Sequence, residues 1–374
     1  MIETFACPSC GAPLEYKSGS RTIRCNFCST EVIVPRELHG TAPLSRPASP
    51  SAKKALVFIG FLVALIIGVA IALGMAMLNR GRASALPFAP KGSIPSIPEP
   101  KRTSGAQPGG FATLTMSFGG EGIGPGLFKD ARSIAVDADG HIYVAEYSGG
   151  RVQVFDPQGK FITQWVGDGK FPMRAMAADR KGRVYLVQRG VISRYEGTTG
   201  NKLGDLDFPD GTGFDDVALT ASGGMVAFYY RASDDLVRFD PAGRTVGRIR
   251  KAISGQTDRS ELDIRVAVDG LGNIYGLGTF NNGVFKFNSD GKFLNKFGSS
   301  GDQPGQFLAP SSIAVDNQGH VFVTDFKGVQ AFDAEGRYLG VIKVDGAASG
   351  QVFNDNNDLF VVARTHVYKY SLAK

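Results

Sequence analysis

Cysteine, tryptophan and histidine are scarce in this sequence. Its 374 residues hold four Cys, one Trp and four His. So few cysteines exclude a disulfide-stapled mini-protein, while a hydrophobic share of 43% excludes a wholly disordered chain. No Asn-x-Ser/Thr sequon occurs, and no Cys follows position 28. There is no nucleophile-elbow serine, no phosphate-cradling glycine loop and no His-Glu-x-x-His stretch. Gly119-Gly-Glu-Gly-Ile-Gly124 has the look of a dinucleotide loop, but no helical pattern follows it.

A surplus of one charge is also missing from most of the chain. The formal net charge is +6, from 41 Lys+Arg against 35 Asp+Glu. By segment, residues 1–52 carry +1 (5 against 4), 53–110 carry +6 (7 against 1) and 111–374 carry −1 (29 against 30). A neutral C-terminal part offers little counterion-release energy, so nucleic acid is not expected as a partner.

The basic stretch frames an apolar one. Residues 55–78 are 24 residues without a charged side chain, flanked by Lys53-Lys54 and by Arg80 and Arg82. As a helix this run would span about 36 Å, enough for a hydrocarbon core of about 30 Å. We expect a single transmembrane helix. Gly60, Ala64, Gly68, Ala72 and Ala76 recur every four residues, a small-residue stripe through which two such helices could form a homodimer. The run is preceded by a Pro-rich linker, 35–54, and followed by a Pro/Gly/Ser-rich stalk, 79–110.

All four cysteines lie near the N-terminus, as Cys7-Pro-Ser-Cys10 and Cys25-Asn-Phe-Cys28 with 14 residues between the pairs. Two such knuckles can set four thiolates tetrahedrally around one ion. A segment of this size cannot bury a sufficient core, so metal binding would supply its folding free energy. Iron or a pair of disulfides are the alternatives to zinc. Residues 1–34 resemble a zinc ribbon, which implies one structural Zn held by Cys7, Cys10, Cys25 and Cys28. Thiolate sites favour a reducing compartment. The expected topology therefore has the ribbon in the cytoplasm and the C-terminal domain on the periplasmic side of a bacterial inner membrane.

The remainder is repetitive. Ser133-Ile-Ala-Val-Asp-Ala-Asp-Gly-His-Ile-Tyr-Val144 aligns with Ser312-Ile-Ala-Val-Asp-Asn-Gln-Gly-His-Val-Phe-Val323. Looser copies start at Met176, Val217, Val266 and Val352. Each unit reads as four short strands with period-2 patterning and Asp-x-x-Gly turns. Six such units predict a six-bladed β-propeller. The sixth unit ends after three strands, so residues 111–118 are expected to complete it and close the ring.

These units resemble the NHL repeat over residues 111–374, about 70% of the chain. The resemblance implies a mainly β fold and a domain that binds protein, RNA or another ligand, often as a membrane sensor, and only rarely catalyses. Across the repeats, Glu146, Tyr147, Gln188, Arg189, Tyr230, Asp325, Phe326 and Arg364 fall at the ends of second strands, and Arg132, Arg174 and Arg265 before inner strands. This ring of Arg and aromatic residues is the expected docking site for a protein partner. Glu146, Asp215, Asp216 and Asp325 read as too scattered to make a ligand set, and His141 and His320 as a repeated structural feature. The expectation is thus a membrane-anchored, non-enzymatic binding, scaffold or sensor protein. The alternative is a propeller hydrolase or lyase with a metal in its central funnel.

Overall fold

The Asp-x-x-Gly turns set the architecture. The Asp156 carboxylate accepts the backbone N–H groups of Gln158 and Lys160 at 2.9 and 2.8 Å, and the Gly159 N–H donates to the Asp156 carbonyl at 2.9 Å. The third residue after the Asp must then take a left-handed conformation, and Gly159 has φ 79°. Asp333 and Gly336 repeat the arrangement, with φ 87° at Gly336. A Cβ at Gly336 would also sit 2.4 Å from the Phe297 ring, so only glycine fits there.

The computed structural model describes residues 3–6, 13–16, 22–24, 31–33, 111–231 and 233–373. Two short antiparallel hairpins occupy the N-terminal part: β1 (Glu3–Ala6) with β2 (Pro13–Tyr16), and β3 (Thr22–Arg24) with β4 (Glu31–Ile33). Cys7, Cys10, Cys25, Cys28, the apolar run 55–78 with its small-residue stripe, and the two linkers lie outside the described residues. Among the described residues, no helix is long and apolar enough to cross a membrane.

From residue 111 onward the chain forms six four-stranded antiparallel sheets. Blade 1 is β6 (Ala131–Val136), β7 (Ile142–Glu146), β8 (Arg151–Phe155) and β9 (Phe161–Val166). Blade 2 is β10 (Ala175–Ala178), β11 (Arg183–Gln188), β12 (Val191–Glu196) and β13 (Lys202–Asp205). Blade 3 is β14 (Phe214–Leu219), β15 (Met225–Tyr229), β16 (Asp235–Phe239) and β17 (Thr245–Ile249). Blade 4 is β18 (Ile264–Val268), β19 (Ile274–Gly278), β20 (Gly283–Phe287) and β21 (Phe293–Phe297). Blade 5 is β22 (Ser312–Val315), β23 (Val321–Asp325), β24 (Gly328–Phe332) and β25 (Tyr338–Ile342). Blade 6 is β26 (Gly350–Phe353), β27 (Asp358–Ala363) and β28 (His366–Leu372), with β5 (Ala112–Gly119) as its outer strand. Because β5 comes from the start of the domain and β28 from its end, their pairing fastens the ring.

The core is divided among the blade interfaces. Ile142 and Val144 of β7 face Phe360 and Val362 of blade 6, whereas Tyr143 and Ala145 face Leu186 and Tyr195 of blade 2. Every residue of β7 is therefore buried, although the strand still alternates. The same holds for β15, β19 and β23. Outer strands such as β9 alternate between solvent and core.

Candidate functional site

The inner strands of all six blades line a central funnel of about 1040 Å³. The end at which these strands begin, its mouth, carries the chemistry. One residue before the first inner-strand apolar position stand Ser133, Ala175, Asp216, Arg265, Ser312 and Gln351, one from each blade, and all six line the funnel. Asp216 and Arg265 are thus neighbours around the ring. One residue further out lie Arg132, Arg174, Asp215 and Ser311. Register shifts fall at Arg132 in β6 and at Asp215 in β14. A bulge leaves its extra residue unpaired and re-aims the side chain: Arg132 lines the funnel, and Asp215 meets Arg174, which also lines it.

Asp216 is the least ordinary group of the funnel. One carboxylate oxygen accepts the Val217 N–H at 2.9 Å and the other the Val266 N–H at 2.8 Å, which ties blade 3 to blade 4. Burial pushes its pKa up to about 6, against the pull of Arg265 and of those two N–H groups. Burial also raises Asp215, although Arg174 Nε donates to its Oδ1 at 2.9 Å. For Arg174, burial works against the charge, but Asp215 more than offsets it and raises the pKa. Arg265 donates through Nη2 to Asp263 Oδ2 at 3.0 Å and through Nη1 to the carbonyl of Arg174 at 3.3 Å. Arg265 Nε, Asp263 Oδ1 and Gln351 Oε1 are buried without a hydrogen-bond partner among the described residues. These are polar atoms on residues of the funnel wall that a polar ligand would satisfy.

The residues expected from the sequence divide into three groups. Arg132, Tyr147, Arg174, Arg265, Asp325, Phe326 and Arg364 line the funnel. Arg132 is paired with Asp130 at 2.8 Å and stacks 4.1 Å above the Tyr147 ring centre, while Arg364 reaches the same Asp130 at 3.3 Å. Glu146 and Gln188 need correction, because they are buried and point into the blades. Glu146 accepts the Lys129 N–H and the Arg151 Nε–H, both at 2.7 Å. Gln188 holds Asp168 through its N–H and carbonyl, and Phe171 through its carbonyl. The end of a second strand lies under the incoming inter-blade loop, whose backbone groups need partners there. Asp325 serves that purpose too, accepting the Ala309 N–H at 2.9 Å. Arg189 and Tyr230 are exposed but do not line the funnel.

The column from Ser133 to Gln351 is the feature that the sequence alignment missed as a set. Its signal was present: five of six residues are polar at one fixed place in the repeat. Arg265 had been grouped with Arg132 and Arg174, but it stands one residue closer to the inner strand. Asp216 is brought beside it by the ring and not by any spacing along the chain.

A metal in the funnel does not fit this donor set. Both Asp216 oxygens are engaged by backbone N–H groups, Asp263 Oδ2 is held by Arg265 and Asp130 by Arg132, which leaves only Asp263 Oδ1 and Gln351 Oε1 as buried partnerless oxygens on the wall among the described residues. Among the described residues no three His, Cys, Asp or Glu side chains converge. His141 and His320 are each held by the aspartate four residues earlier, at 3.0 and 2.9 Å.

Comparison with known proteins fits this architecture. Residues 128–155 match the sequence model of the NHL repeat, and residues 265–370 match that of a family described as 6-bladed beta-propeller. The chain carries an NHL repeat within a six-bladed propeller. Among solved structures, it is similar to a gluconolactonase from Xanthomonas campestris at 17% identity, covering 70% of this chain and 98% of the other with a TM-score of 0.53. It is similar to a luciferin-regenerating enzyme at 12% identity, with 68% and 94% covered and a TM-score of 0.52. It is also similar to regucalcin, a calcium-binding protein from Agrobacterium tumefaciens, at 13% identity, with 67% and 91% covered and a TM-score of 0.51. At such identities the likeness is one of fold alone. It nevertheless corrects the expectation of a propeller that does not catalyse, because two of these folds are enzymes.

Proposed function

We propose that the propeller is a hydrolase of small esters or lactones that works at the mouth of its funnel without a resident metal. The observation that carries this reading is that Asp216 and Arg265 stand next to each other in one polar ring. Asp216 is a carboxyl whose pKa of about 6 suits it to exchange protons near neutral pH, and Arg265 is a fixed cation beside it.

In this reading a water molecule next to Asp216 attacks the carbonyl carbon. Asp216 takes the proton as the new C–O bond forms, and the carbonyl π electrons move onto oxygen. Arg265 and Arg174 face the developing oxyanion. Collapse of the tetrahedral intermediate breaks the bond to the leaving oxygen, which takes the proton back from Asp216. Acid and alcohol leave, and the carboxylate is restored. The partnerless Gln351 Oε1 and Asp263 Oδ1 suit hydroxyl or amide donors on the substrate.

The remainder of the chain delivers this domain. Residues 55–78 anchor it in the bacterial inner membrane and 79–110 act as its stalk, with the ribbon cytoplasmic and the propeller periplasmic. One zinc ion is held by Cys7, Cys10, Cys25 and Cys28. In support, the first cysteine pair falls in the connection between β1 and β2 and the second in that between β3 and β4.

The test is turnover of an ester and lactone panel by the purified full-length chain after treatment with a chelator. Turnover that survives chelation and rises with pH through about 6 is expected. No turnover of any member, or turnover that chelation abolishes, contradicts the reading.

A further inference from the structure

The mouth of the funnel is chemically lopsided. Over blades 1 to 4 its wall is charged, with Arg132, Arg174, Asp216, Asp263 and Arg265. Over blades 5 and 6 the exposed lining includes Ala309, Phe326 and Ala347, with Phe326 84% exposed; Leu308, next to Ala309 in the chain and 51% exposed, lies just outside that lining. Of the charged residues that line this side, Asp325 is turned into its blade and Arg364 is engaged by a neighbouring carboxylate. The Asp325 carboxylate accepts the Ala309 N–H at 2.9 Å and a Gln330 Nε2–H at 3.1 Å, so it is directed into blade 5. Arg364 reaches across to Asp130, the residue just before the inner strand of blade 1.

An alkyl chain laid over the exposed Phe326 ring would remove apolar surface of both from water. Phe326 lies on the same cavity wall as Asp216 and Arg265, so one ligand can touch the apolar arc and the charged arc together. From this continuity we infer that the substrate is an amphiphile: its ester or lactone group lies in the charged arc and an uncharged alkyl tail lies over Phe326 and Leu308. This inference rests on the hydrolase reading and adds the class of substrate to it.

The experiment compares decanolactone with butyrolactone as substrates of the full-length chain and of its Phe326→Ser and Leu308→Ser variants. The readout is the ratio of kcat/KM for the long lactone to that for the short one, so that differences in the amount of active protein cancel. The wild type should favour the long lactone by at least about tenfold, the discrimination that roughly two buried methylene groups supply. Each variant should lose most of that preference. Equal turnover of the two lactones, or a preference that both variants keep, overturns the inference. If neither lactone is turned over, the hydrolase reading fails and direct binding of dansyl-undecanoate decides the point. Binding that weakens about tenfold in the Phe326→Ser variant upholds the amphiphile site. Absent binding, or binding that the variant leaves unchanged, overturns it.

Discussion

Arg174 on blade 2 and Asp215 on blade 3 are joined across the mouth of the funnel by a 2.9 Å bond from Nε to Oδ1. The two residues are only half-buried, but the pair is locked from behind. Arg265 Nη1 lies 3.3 Å from the Arg174 carbonyl and 3.5 Å from that of Asp215. Three blades therefore meet at one guanidinium.

The first prediction concerns this pair. Asp215→Asn removes the charge that fixes Arg174 while leaving the bulge at that position intact. kcat for an ester or lactone substrate should fall about tenfold with a smaller change in KM, the loss of one charge-assisted contact to the developing oxyanion. Steady-state kinetics of the variant check it. A rise in KM at constant kcat would place Arg174 elsewhere in the reaction.

Folding stability should depend on Asp216 with a definite sign. Its carboxyl is held near pH 6 in the folded chain, above the ordinary carboxylate value of about 3.9. The folded state thus binds this proton more tightly than the unfolded state does. The group's contribution is most favourable below about pH 4, declines as pH rises towards 6 and is level above that. Urea denaturation of Asp216→Asn alongside wild type should show the stability of the wild type relative to the variant falling from about pH 4 to 6 and level above that.

Glu146 should matter for stability. It and Arg151 are 11% and 13% exposed, and Glu146 also holds the Lys129 N–H. Glu146→Ala leaves the guanidinium largely buried without its carboxylate, at a cost of about 3–5 kcal/mol. A lowered thermal midpoint with an unaltered KM is the expected result, measured by circular dichroism and kinetics on the same sample.

For the N-terminal segment, metal analysis of the full-length chain should return one zinc ion. The paired Cys7→Ser and Cys28→Ser substitution should lose it, since two of the four thiolates are then missing.

The repeats were legible because turn chemistry is local. An Asp followed three residues later by a Gly marks a turn wherever it occurs, and strand lengths between turns leave little freedom. The funnel was harder to read. Whether a side chain at the edge of a strand faces the channel, the loop or the neighbouring blade changes with a single residue, and bulges at Arg132 and Asp215 shift that register locally. Glu146 and Gln188 looked like binding residues because they are polar and sit at a strand end. They are polar because the inter-blade loop above them leaves backbone groups to satisfy. Asp216 and Arg265 are 49 residues apart in the chain and become neighbours only when blades 3 and 4 pack together.

The most direct test is the rate of ester or lactone hydrolysis by Asp216→Asn relative to wild type, at saturating substrate and pH 7.5, with circular dichroism confirming an intact fold. Loss of the general base should lower kcat by roughly a hundredfold or more and leave the folded content unchanged. A folded Asp216→Asn chain that still turns over substrate within about threefold of wild type would contradict the account.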